Sequence, residues 1–286
     1  MRRVLNDPQL QAQFDRDGYV RVPFLKPEEV TYLYNKCQSY SPTDKFQPLG
    51  EYFTSHVSLL DPDQEYRKAV FNDVTTVFKP YVDKYLAQYS PLIANFIVKQ
   101  PGKGAFTVHQ NWAFVNENHY TSVSIWCPLV DSTLENGTLH VLPGSHKKFS
   151  HVRCPSIPCI MESQHELLRK EYLIPLETKA GDCVILDDSI IHYSSPNLSK
   201  NLRIAIQLIL KPEEAPAIHF YADPNRPGKV EVYEASAEFF QRIKIGHRPE
   251  GIPLLGEIDY IQHPLTEAEL QHILEINRAN SFALAA

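Results

Sequence analysis

Apolar and polar positions alternate along Tyr19-Val20-Arg21-Val22-Pro23-Phe24, which reads as a half-buried strand. Pro27-Glu28-Glu29 then opens a helix, with proline in its first turn and acids at its positive end, and Val30, Leu33, Tyr34 and Cys37 share one face. Val74, Phe78, Tyr81, Val82 and Tyr85 recur at helical spacing. They predict a second helix over about 72–89, capped by Asn72-Asp73 and kinked or split at Pro80. From Pro91 the period shortens, and residues 92–99, 106–112, 122–130, 137–142, 172–176, 182–186, 190–193 and 202–210 read as short strands. Gln100-Pro101-Gly102, Glu135-Asn136-Gly137, Pro143-Gly144 and Ala180-Gly181-Asp182 punctuate them. Eight short strands with regular turns predict a mainly β chain with flanking helices, a double-sheet jelly roll. Asn136-Gly137 is the best hairpin turn, because that dipeptide suits positive backbone angles.

After Lys211 the chain turns irregular and proline-rich, with a further strand at 218–221 and helices at 238–245 and 267–277. Ser236 caps the first of these helices, and a Thr266/Glu269 capping box opens the second. The expected organisation is one domain over 1–286. A helical layer (about 1–90) precedes a β core (about 91–211), and a C-terminal extension (about 212–286) folds back on the barrel.

With 22% charged and 43% apolar residues, the composition is that of an ordinary globular protein. The net charge of -6 comes without a basic block, which argues against a nucleic-acid partner. No apolar run reaches the length of a spanning helix, and Met1–Asp7 breaks off before a signal-peptide core could form, so a cytoplasmic location is expected. The five cysteines are odd in number and lack a CxxC pair, which predicts reduced, packed thiols rather than a disulfide framework or a zinc knuckle.

Candidate chemistry gathers at two places. In a strand, His109 and Asn111 point to one face, and Gln110 and Trp112 to the other. With His192 arriving from the stretch Ile190–Ser194, three donors would occupy one face of an octahedron and leave three positions open. That is the facial-triad logic of a non-haem iron(II) oxygenase, although its third ligand is normally a carboxylate and here it is Asn111. The plain alternative is that His109 bonds a backbone carbonyl, Asn111 caps a turn and His192 is a satisfied core histidine. Arg203 adds to the first reading. A guanidinium facing inward from Leu202-Arg203-Ile204-Ala205-Ile206 needs an anion, which the carboxylate of a metal-bound keto acid would supply. A salt bridge to Asp187 or Asp188 is the alternative.

Taken together, these motifs resemble the phytanoyl-CoA dioxygenase family of Fe(II)/2-oxoglutarate-dependent oxygenases. The family's His-x-Asp motif and its aromatic sequel are similar to His109-Gln110-Asn111-Trp112-Ala113-Phe114-Val115, and its distal histidine and arginine match His192 and Arg203. Ile125–Asp131, Glu135-Asn136-Gly137, Val141–His146 and the opening Phe14–Val20 extend the likeness up to about Leu210.

The resemblance implies a double-stranded, cupin-like β-helix that uses Fe(II), 2-oxoglutarate and O2. It implies that His109 and His192 bind iron, with Asn111 where the family has aspartate, and that Arg203 grips the distal carboxylate of 2-oxoglutarate. Ser194 shares that carboxylate, while Trp126 and Asn95 are similar to cosubstrate-lining positions. Trp126 as a core aromatic and Asn95 as a strand-end residue are the alternatives, and His146 reads as structural. The implied activity is hydroxylation of an aliphatic carbon of a small metabolite. A neutral amide ligand would hold iron less tightly, which leaves a halogenase-like variant and a non-catalytic ligand-binding relative open. Halide-using relatives carry a small residue at that position, and asparagine is not small. Loops at about 44–58 and 150–169 are expected to close the mouth and set the substrate.

Overall fold

The computed structural model describes residues 2–47, 55–149 and 152–274. Three helices open the chain. Helix α1 (Pro8–Asp17) is not anticipated above; Asp7 caps it by accepting from the N–H groups of Gln9 and Leu10, and Gly18 ends it at φ 79°. Strand β1 (Tyr19–Pro23) and helix α2 (Pro27–Ser39) follow as expected. Helix α3 (Gln64–Tyr85) starts earlier than the predicted 72, because Asp63 is the residue that caps it. Asp73 lies inside the helix and accepts a hydrogen bond from Tyr40 Oη instead. Pro80 does not split α3. It removes one backbone donor, and the buried row Val70, Val74, Phe78 and Val82 continues past it.

Beyond β1 and a short β2 (His56–Val57), the remaining core strands are β3 (Tyr89–Lys99), β4 (Phe106–His109), β5 (Val123–Pro128), β6 (Leu139–Val141), β7 (Ile174–Leu176), β8 (Asp182–Asp187), β9 (His192–Ser194) and β10 (Arg203–Pro212). They form a six-stranded sheet, β1-β8-β5-β10-β3-β2, and a four-stranded sheet, β4-β9-β6-β7, with every pairing antiparallel. Trp126, Val184, Leu186 and Ala205 of the larger sheet pack with Leu139, Val141 and Leu176 of the smaller, so the sheets face each other. The predicted jelly roll is the observed fold.

Alternation along the larger sheet divides its residues between two jobs. Ile204, Ile206 and Leu208 of β10 point to the helical layer with Phe96 and Val98 of β3 and Ile125 and Cys127 of β5. There they meet Phe14, Leu33, Val74 and Phe78. The intervening residues Arg203, Gln207, Asn95, Ser124 and Trp126 line a cavity between the sheets. Register then fixes neighbours: Arg203 pairs with Lys99, and Gln207 with both Asn95 and Trp126.

Two expectations change. Asn136-Gly137 forms the expected turn, with Gly137 at φ 81° and Asn136 Oδ1 accepting from Thr133 N at 2.8 Å. It joins β5 to β6, however, which lie in different sheets, so it is a crossover and not a hairpin. The tail holds a third sheet, β11 (Ile218–Ala222), β12 (Lys229–Glu234) and β13 (Leu254–Asp259), of which only β11 was expected. Helix α4 (His165–Glu171) precedes β7, and helix α5 (Ala237–Arg242) has the predicted Ser236 cap. Residues 267–274 are helical behind the Thr266/Glu269 box, and 275–277 lie outside the described residues.

Candidate metal centre

The β4–β9 pairing sets His109 directly opposite His192, with ring centroids 4.2 Å apart. Each ring is oriented the same way. His109 Nδ1 lies 2.7 Å from Thr107 O, and His192 Nδ1 lies 2.9 Å from Ile190 O. A carbonyl can only accept, so both Nδ1 atoms carry the proton and both Nε2 lone pairs are left for the cavity that the rings line. Burial lowers the pKa of both, that of His192 to about 3, which keeps the pair neutral and ready to ligate.

Strand β4 stops at His109 rather than running to Trp112. The backbone beyond it turns to other partners: Asn111 N donates to Asp188 O, and Asn111 O accepts from Arg153 Nε at 2.7 Å. Strict alternation ends there, and Trp112, expected on the far face, also lines the cavity. Asn111 still reaches it. Its Nδ2 donates to Asp188 Oδ1 at 2.8 Å and to Ser124 Oγ at 3.0 Å, so the amide atom left for the cavity is Oδ1. Among the described residues no group of three His, Cys, Asp or Glu side chains could hold a metal. Beside the two imidazoles, Asn111 Oδ1 is an amide oxygen that could serve a metal as a further protein donor.

The opposite end of the cavity is cationic. Arg203 is buried, its Nε and Nη1 have no hydrogen-bond partner, and Nη2 reaches Gly137 O only at 3.4 Å. Burial alone lowers its pKa to about 9, with no carboxylate opposing the shift. Neither Asp187 nor Asp188 meets it. Asp187 Oδ1 accepts from Ser189, and Asp188 Oδ1 accepts from Ser124 and Asn111. Lys99 is buried alongside and donates to Ser194 Oγ at 2.7 Å and Ser195 O at 2.6 Å. Burial first, and then the charge of Arg203, push its pKa down. Because Lys99 occupies a lone pair of the Ser194 hydroxyl, that O–H is free to donate onward. An unmet guanidinium, a second cation and a hydroxyl donor together make an anion site.

Comparison with known proteins gives the family and the fold. The profile of the family described as Phytanoyl-CoA dioxygenase (PhyH) matches residues 14–205. The chain belongs to the phytanoyl-CoA dioxygenase family. A phytanoyl-CoA dioxygenase domain-containing protein 1 homolog of Dictyostelium discoideum is 37% identical over 115 residues, covering 37% of this chain and 40% of that protein. The match to phytanoyl-CoA dioxygenase 1 of Oryza sativa is 34% over 116 residues, covering 40% and 41%. These alignments span about two fifths of each relative. An ectoine dioxygenase of Nocardia farcinica is 25% identical over 261 residues, 74% of this chain and 80% of that one. In fold, the chain is similar to SnoK, the non-heme alpha ketoglutarate dependent carbocyclase of nogalamycin biosynthesis, at TM-score 0.55 and 17% identity, covering 87% and 96%.

Within this phytanoyl-CoA dioxygenase fold, all seven residues singled out above line one cavity of about 380 Å³: His109, Asn111 and His192 with Asn95, Trp126, Ser194 and Arg203. Trp126 carries Arg203 Cζ 5.8 Å from its ring centroid. Asn95 Oδ1 accepts from Leu59 N at 2.9 Å, and its Nδ2 lies 3.4 Å from Gln207 Oε1. His146 sits apart from the cavity, packed over Gly18, where a Cβ would meet its Nδ1 at 2.5 Å. Of the expected mouth loops, Val57 and the stretch Val152–Ile160 line the cavity, and 48–54 and 150–151 lie outside the described residues. Lys99 is not anticipated above, and Asp188 is anticipated only as a salt-bridge partner of Arg203, which it is not. Lys99 shares strand parity with Ile93, Asn95 and Ile97, and that was its available signal.

Proposed function

We propose that this protein is a cytoplasmic Fe(II)/2-oxoglutarate-dependent oxygenase that hydroxylates an aliphatic carbon of a small metabolite, and that the chain forms one domain. The observation that carries the proposal is the presence, in one cavity, of two imidazoles with free Nε2 atoms and a buried guanidinium with two unmet nitrogens. The donor set fits the groups the family uses. His109, His192 and Asn111 Oδ1 would hold the metal, Arg203 and Ser194 would take the distal carboxylate of 2-oxoglutarate, and Trp126 and Asn95 would line its bed. When bound, iron and 2-oxoglutarate supply an oxidising power drawn from O2, with release of succinate and CO2.

The chain's own part is placement and exclusion of water. Thr107 O and Ile190 O lock the imidazole tautomers, and Asp188 and Ser124 lock the amide. Arg203 fixes the far end of the cosubstrate and so sets the position of its near end. Val57, Leu59, Ile93, Ile157, Ile160 and Ile209 give the remaining cavity wall an aliphatic character, which suits a C–H substrate. Five unpaired cysteines suit a reducing compartment. Among the described residues no helix is long and apolar enough to cross a membrane.

The test is substrate-dependent succinate formation across a metabolite panel, with product identified by mass. A product that gains one oxygen supports the proposal. Iron bound near one equivalent with no turnover across a broad panel would point to a ligand-binding relative, and a halogenated product to a halide-using site. The halogenated outcome runs against the size of Asn111, whose amide is anchored by Asp188 and Ser124.

A further inference from the structure

Asp188 has a position that ordinary packing does not explain. Its carboxyl group is fully buried and takes part in no ion pair among the described residues, its Oδ2 makes no hydrogen bond of ordinary geometry although the Ser122 hydroxyl lies near, and burial raises its pKa to about 7. Among the described residues the charge that acts on it is that of another carboxylate, Asp187. A buried carboxyl group with no cation beside it is kept ionised only at a cost, which a positive charge arriving nearby would offset. The Oδ1 atom shows where that charge arrives. It accepts from Asn111 Nδ2 at 2.8 Å and from Ser124 Oγ at 2.6 Å, and Ser124 Oγ in turn accepts from Asn111 Nδ2 at 3.0 Å. Backbone pairing reinforces the contact, because Asn111 N donates to Asp188 O at 3.0 Å.

We propose that Asp188 is the anionic partner of the metal centre, a positioning residue that acts through Asn111. Two neutral imidazoles and a neutral amide bring no negative charge to a divalent cation. Asp188 returns that charge from one hydrogen bond behind the amide. Its acceptor oxygen also dictates which end of the amide faces the cavity: Nδ2 is drawn to the carboxylate, and Oδ1, the only amide atom able to ligate a metal, is turned to the imidazoles. Polarisation of the amide by the carboxylate makes Oδ1 a better donor.

The inference rests on the metal-centre reading, and it leads to an unusual expectation. Asn111→Asp alone does not simply improve the site, because it replaces an N–H···O bond by two carboxylates in contact. Exchanging the two residues does preserve the bond. In Asn111→Asp/Asp188→Asn the hydrogen bond runs the other way, and the charge moves forward onto the ligand.

The test is anaerobic calorimetric titration with Mn(II), and with Co(II) followed by its visible spectrum, on the full chain. Asp188→Asn is expected to weaken metal binding by roughly 10–100-fold. Asn111→Asp alone should recover less affinity than the exchanged pair, which should bind at least as tightly as the parent. The metal-free melting temperature of Asp188→Asn should stay level or rise, since an uncompensated buried charge is removed. His109→Ala is the control for the underlying reading. If His109→Ala leaves Mn(II) affinity unchanged, the metal centre itself is misplaced. If His109→Ala abolishes binding while Asp188→Asn binds like the parent and melts lower, the centre stands and Asp188 is structural.

Discussion

Arg203→Leu separates a guanidinium kept for a ligand from one kept for the fold. In the ligand-free protein Arg203 is buried, two of its three nitrogens are unmet, and the cation directly across the strand pair is Lys99. Leucine preserves much of the apolar stem and removes both the desolvated charge and its repulsion with Lys99. Exchanges of buried charges for apolar residues are often neutral or stabilising by about 1–4 kcal/mol. At roughly 2.1 cal/mol/K per residue, a 286-residue chain has an unfolding entropy near 0.6 kcal/mol/K, so each kcal/mol moves Tm by about 1.7 °C. Without cosubstrate, the variant is therefore expected to melt from about the parental temperature to several degrees above it.

With saturating 2-oxoglutarate the parent gains stability that the variant does not. Ligand at 100 times its Kd stabilises the parent by about 2.7 kcal/mol. Loss of one partner of a buried charge pair costs about 2–5 kcal/mol, which is tens-fold to a few thousand-fold in Kd. Differential scanning fluorimetry with and without 2-oxoglutarate, Mn(II) replacing iron, measures both arms. A variant that melts far below the parent without ligand, yet gains the same shift with it, would refute the reasoning and make Arg203 a structural residue.

The other predictions are smaller in scope. His219 is buried against Trp112, Phe239 and Phe240, and burial lowers its pKa to about 4, so between pH 6.5 and 4 the unfolded chain takes up a proton that the folded chain refuses. This contribution is complete above pH 6.5 and fades as pH falls. By pH 5 it has fallen by about 2 kcal/mol, and His219→Phe should lose less stability than the parent between pH 7.5 and 5 in urea titrations. Gly137→Ala should weaken the fold and the cosubstrate site together. Its φ is 81°, and the added Cβ would collide with Ser195 O and sit 3.0 Å from Lys99 Nζ. An unchanged Tm and 2-oxoglutarate Kd in that variant would show that the turn tolerates a side chain.

Legibility in the sequence followed the strength of the local period. Strand β10 could be read from Leu202 to Leu210, because Ile204, Ile206 and Leu208 bury one face against helices while Arg203, Ala205 and Gln207 occupy the other. Helix α1 escaped notice because Phe14 is its one fully buried residue. Strand β13 is exposed along most of its length, so no apolar face marks it. The crossover at Asn136-Gly137 shows a further limit. A dipeptide encodes a turn's backbone angles, but which strands the turn connects depends on how the two sheets close over the cavity.

At the site, residues with a chemical motif were visible, and residues that act through a neighbour were not. His109, His192 and Arg203 stand out because each is an unusual donor in an apolar stretch. Lys99 is marked locally only by the strand parity it shares with Asn95, and its role comes from register: it pairs with Arg203 and reaches Ser194, 95 residues on. Asp188 was weighed above as a salt-bridge partner for Arg203, the natural inference when a buried cation and a nearby acid occur in one sequence. The fold keeps the two apart. It sets the acid against a neutral amide and leaves the guanidinium unmet, so neither buried group compensates the other. Each then requires its own counterion: an anion at Arg203, and at Asn111 a cation answering Asp188. A metal and a dicarboxylate that binds it would meet both requirements at once, and for that reason binding of the two is expected to be cooperative.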